Sequence, residues 1–418
     1  MRDVIVIGGG PAGSTAATLL ARQGLAVTVL ERERFPRFQI GESLLPYNND
    51  LFARLGVSPD ELGGAHIPKY GAYFVTGDGD FMSGFRFDQR LADPYRNAFQ
   101  VKRADFDHLL LQNARKHGVE VREETQIVGV ELAEPECAIV QTAAGETLKA
   151  RFLIDASGHH SVVGSRVGER KDVASLRKIA FFAHFRNVPR AEGKDGGSTG
   201  VVILRNGWFW LIPVSADVMS VGLVVDRDHV LACGLQPEEL FARTVAGSPW
   251  MAERMKDAER ITPIHARKDF SFRMRHLAGE NYALIGDAAG FLDPIFSTGV
   301  FMAMKSADMV VDGVVQRLKS GTTEYLDDYA RTMTRGLDQY LRFIEHFYDR
   351  EFLEVFLQPS ERWGMLDAVV GILAGDIFEK RNNRLSVALF FLLVKLQKAG
   401  LGIAQRINWD AVPSAASA

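Results

Sequence analysis

Three glycines and a carboxylate near the start of the chain have the clearest chemical meaning. Gly8, Gly10 and Gly13 form a GxGxxG pattern between an apolar β-type run, residues 3–7, and an Ala- and Leu-rich segment typical of a helix. In that setting the first glycine permits a tight turn, the second lets the backbone approach a pyrophosphate, and the third lets helix and strand pack closely. Glu31 ends the next predicted strand, where a carboxylate can hydrogen-bond the hydroxyls of an adenosine ribose. The pattern therefore predicts a dinucleotide without a 2′-phosphate, bound through its phosphates at a helix N-terminus.

Three later segments suit the other half of a dinucleotide, which the glycine pattern alone leaves open between FAD and NAD(H). Gln100 and Arg103 precede a predicted helix, Asp155 follows a strand candidate, and Gly286 and Asp287 follow another. In this order they resemble the FAD-contacting motifs of the aromatic-hydroxylase superfamily of flavoproteins, of the p-hydroxybenzoate hydroxylase type. The resemblance implies FAD, with Asp287 on the ribityl chain and Arg103 against the flavin.

Three further segments narrow the resemblance to the flavin-dependent halogenases of the tryptophan-halogenase type. Residues 35–46 contain the sequence GES, residues 208–213 read WFWLIP, and residues 293–300 read DPIFSTGV. Each resembles a signature of that family, and the second fits its WxWxIP pattern at every fixed position. Geranylgeranyl-reductase-like flavoproteins carry a similar tryptophan-containing strand with different flanking residues.

The resemblance assigns roles to residues in two of these segments. The resemblance implies that the amides of Gly299 and Val300 contact the flavin and that Thr298 and Gly299 hold a halide ion at the start of a helix. It also implies that Trp208 and Trp210 form a wall between flavin and substrate. The alternative is that these aromatic side chains only fill the core of a sheet domain.

Lys69 is the residue that separates halogenation from hydroxylation. It lies in residues 67–74, IPKYGAYF, where the resemblance places the lysine of halogenases that act on phenols and pyrroles. Its neighbours are apolar, so desolvation is expected to lower its pKa. That makes it either a better nucleophile toward hypohalous acid or a better-placed proton donor, and both roles stay open beside a purely structural one.

The resemblance implies a halogenase that uses FADH2, O2 and chloride or bromide. We expect an electron-rich ring of phenol or pyrrole type, free or bound to a carrier protein, because residues 293–298 lack the acidic residue of the tryptophan enzymes. No second GxGxxG is present, so the reduced flavin is expected from a separate flavin reductase that uses NADH or NADPH. Hydroxylases of this fold also lack a second GxGxxG, so this absence does not decide the reaction.

Two other activities stay open on the same scaffold. A flavin-dependent monooxygenase (hydroxylase) or dehydrogenase would leave Lys69 structural, and a geranylgeranyl-reductase-like FAD oxidoreductase would use the hydrophobic C-terminal helices to hold a prenyl chain. His184, in the strand candidate 181–185, is a candidate base toward a phenol. The other prominent histidines lack acidic or thiol neighbours at ligand spacing, so no metal site is predicted at His66, His159 or His160.

Composition excludes several classes of function. A net charge of −3 gives no electrostatic excess for nucleic acid. Cys137 and Cys233 are far apart, which predicts neither a disulfide nor a zinc site and favours the cytoplasm. No signal peptide is expected.

The apolar run 387–394 is far shorter than the roughly 20 residues of a spanning helix, so the C-terminal helices are expected to be buried or to contact a membrane only peripherally.

Hydrophobic periodicity predicts the elements that must position these residues. A βαβ unit opens the chain, strand-type alternation returns at residues 70–87 and 178–225, and helical patterns dominate from residue 298 onward. The fold expected is α/β, with a doubly wound Rossmann-type FAD domain interleaved with an antiparallel substrate domain and C-terminal helices, and the tail 413–418 is expected to fray. The predicted FAD domain comprises residues 1–69, 98–175 and 265–330, the substrate domain residues 70–97 and 176–264, and the C-terminal helical region residues 331–418.

Two predicted groups of site residues follow. The catalytic candidates are Lys69 and Thr298. Ile127 is included among the cofactor contacts because its backbone is placed to touch the adenine. The residues expected to bind the cofactor are Gly8, Gly10, Pro11, Ala12, Gly13, Glu31, Arg32, Gly41, Glu42, Ser43, Gln100, Arg103, Ile127, Asp155, Gly286, Asp287, Gly299 and Val300.

Overall fold

The structure is a computed structural model that describes residues 1–268, 271–358, 365–378 and 383–416. The strands of this part of the chain are β1 Arg2–Ile7, β2 Val27–Leu30, β3 Ile67–Lys69, β4 Gly71–Thr76, β5 Met82–Arg86, β6 Ala98–Gln100, β7 Glu120–Arg122, β8 Ile127–Glu134, β9 Cys137–Thr142, β10 Thr147–Asp155, β11 Arg170–Asp172, β12 Lys178–Arg186, β13 Thr199–Leu204, β14 Gly207–Pro213, β15 Val218–Asp226, β16 Glu259–Arg260, β17 His265–Lys268, β18 Phe272–Met274, β19 Tyr282–Leu284 and β20 Gly290–Phe291. The helices are α1 Pro11–Arg22, α2 Asn48–Leu55, α3 Pro59–Gly63, α4 Arg103–Lys116, α5 Gly164–Val167, α6 Arg227–Cys233, α7 Pro237–Gly247, α8 Pro249–Met255, α9 Thr298–Ser320, α10 Glu324–Phe347, α11 Arg350–Leu357, α12 Met365–Ala374 and α13 Asn383–Lys398.

The first large sheet is the doubly wound part of the fold. Its strands have the order β7-β2-β1-β10-β9-β8, with β19 beside β10. The β1–β2, β2–β7, β1–β10 and β10–β19 pairs are parallel, whereas β8, β9 and β10 pair antiparallel. Val4 to Ile7 are buried, as expected for a parallel strand covered on both faces. The predicted α/β architecture is confirmed.

The turn between β1 and α1 requires its glycines. Gly8 has φ +105°, and a Cβ built on it would lie 2.4 Å from the carbonyl oxygen of Ala156. A Cβ on Gly13 would lie 1.9 Å from the carbonyl oxygen of Gly8, so the helix could not approach the strand. Pro11 occupies the first turn of α1, where its missing N–H costs nothing. The sequence therefore folds here as the predicted βαβ unit.

The second large sheet has the order β16-β12-β15-β14-β13-β4-β5, with β17 beside β12. Its pairs are antiparallel as predicted except for β4 and β13, which run parallel. The chain crosses into the first sheet between these two strands, and a long crossover permits a parallel pair that a hairpin does not. Two smaller sheets, β3-β6 and β11-β18-β20, link the large ones. The exact domain limits stay a prediction.

Among the C-terminal helices, α9 packs on α1 and against β10 of the first sheet, and α10 packs on α9. The apolar run 387–394 lies in α13, where Phe390 and Phe391 are buried but Leu392 is 48% exposed. Among the described residues, none of the helices has the length and apolarity needed to cross a membrane. The prediction of a frayed tail is wrong for residues 413–416, because Ala415 is buried and the amide of Ala416 donates to Thr244 Oγ1; residues 417–418 lie outside the described part.

Candidate active site

A cavity of about 490 Å³ opens where the two large sheets face each other. The first sheet contributes the carboxyl ends of β1 and β2, which is where open α/β sheets bind their ligands. The second sheet contributes side chains of β12, β13 and β14, and the first turn of α9 closes one end. A ligand in this cavity therefore touches both sheets at once.

One end of the cavity has the features of a nucleotide site. Gly10 is the N-cap of α1, and a Cβ built on it would meet nothing nearer than Arg37 Nη2 at 3.5 Å, so open space lies before the helix N-terminus. Glu31 lines the cavity with its carboxylate held by two amides: Oε2 accepts from Gly9 N at 2.7 Å and Oε1 from Glu33 N at 2.9 Å. The positive end of the helix dipole thus faces free volume beside a fixed carboxylate, as a bound pyrophosphate and ribose require.

The other end is organised by an arginine. The guanidinium of Arg103 forms a two-bond pair with Asp107, at 2.7 and 2.9 Å, and donates from Nη1 to the carbonyl oxygen of Ile40 at 2.6 Å. It thereby holds the segment that contains Gly41, whose φ of +100° favours glycine. Asp287 lines the same end, with Oδ2 at 3.3 Å from His159 Nδ1.

These observations fit FAD. The glycine turn leaves room for a pyrophosphate, the carboxylate of Glu31 lies at the adenosine end, and Asp287 and Arg103 lie further along the same cavity. When bound, FAD would supply the redox chemistry of the site. The residues of the cavity supply its shape and its charges.

Glu42 is a buried carboxylate at the cavity wall. It is 2% exposed, and its Oε1 lies 2.6 Å from His184 Nε2. Its Oε2 has no hydrogen-bond partner among the described residues. His184 does not line the cavity, because its ring is occupied with Glu42 and packs edge-on against Phe38. The candidate base toward a phenol therefore lies behind the wall.

Lys69 lies one layer behind the cavity, with Ser43 and Thr199 in front of it. Its ammonium group donates to Ser43 Oγ at 2.8 Å and to the carbonyl oxygen of Leu44 at 3.1 Å. Ser43 Oγ lies 2.9 Å from Thr199 Oγ1, and both hydroxyl residues line the cavity. Lys69 is 3% exposed, and burial lowers its pKa to about 7. The predicted desolvation of this lysine is therefore present in the structure.

The two tryptophans of β14 form a wall of the cavity on the side of the second sheet. Trp208 and Trp210 both line the cavity, with ring centroids 6.0 Å apart. Trp210 Nε1 donates to Ser220 Oγ at 3.2 Å, and Trp208 Nε1 donates to Tyr348 Oη at 3.2 Å. Because both indole N–H groups are satisfied behind the wall, the rings present apolar surface to the cavity.

The loop opposite the tryptophans leads directly into α9. Ser297 has φ +57° and is the N-cap, and Thr298 is the first residue of the helix. Gly299 and Val300 line the cavity, so the first turn of α9, whose amides have no partner within the helix, borders it. This is the kind of N-terminus that binds anions.

Comparison with known proteins gives the family. The tryptophan halogenase family model matches residues 3–76 and 78–352. The chain is 30% identical to the 1H-pyrrole-2-carbonyl-[peptidyl-carrier protein] chlorinase of Pseudomonas fluorescens, over 90% of this chain and 89% of that protein. It is 32% identical to the corresponding brominase of Pseudoalteromonas luteoviolacea, over 76% of this chain and 78% of that protein. The chain belongs to the flavin-dependent halogenases.

Superposition on solved structures supports the same family assignment. The structure of a flavin-dependent brominase superposes with a TM-score of 0.84 at 28% identity, covering 96% of this chain and 99% of that one. The myxobacterial chondrochloren halogenase superposes with a TM-score of 0.78 at 32% identity, covering 95% and 97%. A flavoprotein/dehydrogenase from Cytophaga hutchinsonii reaches 0.87 at 29% identity, covering 96% and 99%. The predicted family, its FAD cofactor and its oxidoreductase class are therefore confirmed.

In this halogenase one cavity collects most of the predicted cofactor residues. The predicted residues that line it are Gly8, Gly10, Pro11, Ala12, Glu31, Arg32, Gly41, Glu42, Ser43, Arg103, Ile127, Asp287, Gly299 and Val300. Contact with FAD stays a prediction for each of them. Their common exposure to a single volume is what one extended ligand requires.

Six predicted residues do not line the cavity: Lys69, Gln100, Asp155, Gly286, Thr298 and Gly13. Asp155 is fully buried, and its carboxylate accepts from the amides of Ser157, Val163 and Gly164, so it shapes the loop beneath the cavity. Gln100 Nε2 donates to Thr199 Oγ1 at 2.9 Å and supports the pair in front of Lys69.

Several residues of the halogenase cavity were missed from the sequence. The sequence analysis assigned no site role to His159 or His160, yet both line the cavity, and His159 pairs with Asp287. Their position directly after the Asp155 motif was the signal that could have found them. Thr199 and Arg267 also line the cavity, and no local pattern marks them because β13 and β17 approach it only through the folding of the second sheet.

Proposed function

We propose that this chain halogenates a pyrrole-type ring presented on a carrier protein, and that Lys69 delivers the halogen. The overall reaction combines an aromatic C–H, a halide, O2, FADH2 and a proton to give the C–halogen bond, FAD and two waters. Oxidised halogen is the electrophile, the ring supplies the electron pair, and the ring proton leaves. The relatives that act on carrier-bound pyrroles support this substrate class.

The position of Lys69 carries the proposal. Its ammonium donates to a hydroxyl and a carbonyl, and it forms no ion pair with a carboxylate among the described residues. A buried amine with a pKa of about 7 and no counter-ion is partly neutral at physiological pH. The neutral form is the nucleophile toward an oxidised halogen.

The buried side chains beside Lys69 on the side of Phe87 are apolar, which is the chemistry that an aromatic acceptor requires. Lys69 Nζ lies 5.8 Å from the ring centroid of Phe87, on which Val370 and Ala374 of α12 pack. The hydroxyls of Ser43 and Thr199 therefore lie between Lys69 and the flavin cavity. The ring of Phe87, with the apolar side chains packed on it, lies near the same ammonium. In this proposal the acceptor ring lies on the Phe87 side, so that flavin and ring do not share one chamber.

The expected electron donor is a separate flavin reductase. The chain contains no second glycine-rich dinucleotide motif that would bind a nicotinamide cofactor. Reduced FAD would enter from solution.

The test is a turnover assay on the full chain with FAD, NADH, a general flavin reductase, and bromide or chloride. Three acceptors are compared: pyrrole-2-carbonyl thioester on a carrier protein, free pyrrole-2-carboxylate, and a simple phenol. We expect halogenated pyrrole on the carrier protein and at least tenfold less product from the free acid. Equal turnover of the free acid would reject carrier presentation, and hydroxylated product independent of halide would reject halogenation.

A further inference from the structure

The C-terminal helical region reaches the reaction site through Tyr348. This residue follows directly after α10, outside every motif used above. Its hydroxyl accepts a hydrogen bond from Trp208 Nε1 at 3.2 Å and donates one to Asp293 Oδ2 at 2.9 Å. One hydroxyl therefore joins the tryptophan wall to the first residue of the loop that leads into α9.

The acceptor of this bond is fixed in turn. Asp293 is 1% exposed, and its other oxygen, Oδ1, accepts from the amide of Ile295 at 2.9 Å. Ile295 itself lines the cavity, as do Pro294 and Ser297 of the same loop. The Asp293 carboxylate thus connects the tyrosine hydroxyl, through hydrogen bonds, to the backbone of a residue that lines the cavity.

The tyrosine ring is held in place from two sides. Lys178 Nζ lies 3.6 Å from its centroid, and that ammonium is itself paired with Asp226 Oδ1 at 2.6 Å. The neighbouring Phe347 packs edge-on against the Tyr348 ring and also against Phe296 of the loop, with centroids 5.8 Å apart in each pair. Burial raises the pKa of Tyr348 well above its usual value, so the hydroxyl keeps the proton that it donates.

We propose that Tyr348 is a positioning residue of the halogenation site. Its two hydrogen bonds fix the position of the tryptophan wall relative to the 293–300 loop. A shift of either partner would change the distance between the apolar wall and the amides at the start of α9. The consequence for halide affinity rests on the proposed function, whereas the positioning itself does not.

The decisive variant is Tyr348→Phe, because it removes both hydrogen bonds and keeps the ring against Lys178. The matched control is Tyr340→Phe, a buried tyrosine of α10 whose hydroxyl donates a long hydrogen bond, 3.5 Å, to the carbonyl oxygen of Ile372. Both are compared with the parent chain, loaded with FAD, by amide hydrogen exchange and by the steady-state KM for bromide and for the organic acceptor.

We expect exchange in peptides covering 207–213 and 293–300 to be at least tenfold faster in Tyr348→Phe and unchanged in Tyr340→Phe. The bromide KM should rise at least fivefold while the acceptor KM stays within twofold. Unchanged exchange in both peptides would overturn the proposal, as would faster exchange with an unchanged bromide KM. If the parent chain makes no halogenated product, the proposed function fails, and the exchange comparison alone still decides whether Tyr348 holds the two segments together.

Discussion

The ammonium of Lys69 lies 2.8 Å from the hydroxyl of Ser43, and that hydroxyl lies 2.9 Å from the hydroxyl of Thr199 at the wall of the flavin cavity. A buried lysine is thereby connected to the cofactor chamber through two small polar side chains while it stays outside that chamber. In the proposed function, this arrangement separates the flavin chamber from the place where the ring is halogenated.

Burial of Lys69 should cost stability. A pKa lowered from 10.5 to about 7 corresponds to roughly 5 kcal/mol at neutral pH, and losing its two hydrogen bonds offsets about 2 kcal/mol of any gain. We expect Lys69→Met to raise the free energy of unfolding at pH 6–7 relative to the parent.

The destabilisation caused by burying Lys69 should change with pH, because the pKa of this lysine differs between the folded and the unfolded chain. The unfolded chain binds the extra proton between the folded and unfolded pKa values, so the penalty is full below about pH 7 and vanishes above pH 10.5. Denaturant unfolding at several pH values measures it. A stability difference that grows toward pH 10 would contradict the account, and Lys149→Met, at an exposed position of β10, serves as the neutral control.

Halogenation should show the titration of Lys69 directly. If the neutral amine accepts the halogen, kcat/KM for the acceptor rises with pH through a midpoint near 7, the pKa that burial gives this lysine. The rate of flavin oxidation by O2 serves as an internal control and should not follow the same curve. A falling limb near pH 7 would instead identify the ammonium as the active form and reject the nucleophilic role.

The hydroxyl pair in front of the lysine should matter for turnover more than for folding. Thr199→Val keeps the volume of the side chain but removes the group that contacts both Ser43 Oγ and Gln100 Nε2. We expect kcat for halogenation to fall about tenfold, the effect of losing a bond worth about 1.4 kcal/mol. Thr199→Ser keeps the hydroxyl, so its kcat should be close to that of the parent. A serine variant as slow as the valine variant would show that kcat depends on packing at this position and not on the hydroxyl.

Gly10 offers a clean test of the nucleotide end. A Cβ at this position makes only ordinary contact with Arg37 in the structure, and the backbone there is extended, so Gly10→Ala should fold with an unchanged Tm. The same methyl group enters the space before the N-terminus of α1, so the Kd for FAD should rise at least tenfold. Titration of the ligand-free protein with FAD measures this, with Gly247→Ala, which faces open space, as the control. Unchanged affinity would move the pyrophosphate elsewhere.

The sequence predicted those parts of the fold and site that depend on local pattern. The GxGxxG turn, the βαβ unit, and the loop before α9 follow from the steric demands of glycine and from hydrophobic periodicity, and the structure has them at the predicted places. Lys69 was found because its segment resembles a known family, and its burial follows from apolar neighbours.

The missed features depend on contacts between distant parts of the chain. Tyr348 meets Trp208 and Asp293 only after the C-terminal helices fold back, and no residue beside Tyr348 signals that contact. Thr199 reaches Ser43 because β13 pairs with β4 in parallel, an arrangement that alternation of apolar residues does not specify. The tail was expected to fray because it is small and polar, yet Asn206 and Thr244 hydrogen-bond its backbone.

The most direct test of the central claim is to count halogenated product per reduced flavin consumed in the parent chain and in Lys69→Met, by mass spectrometry, with equal FAD, halide and reductase. We predict product from the parent chain and none above background from the variant, while both oxidise reduced flavin at similar rates and bind FAD within twofold. Product from Lys69→Met at more than a tenth of the parent yield would contradict delivery of the halogen by Lys69.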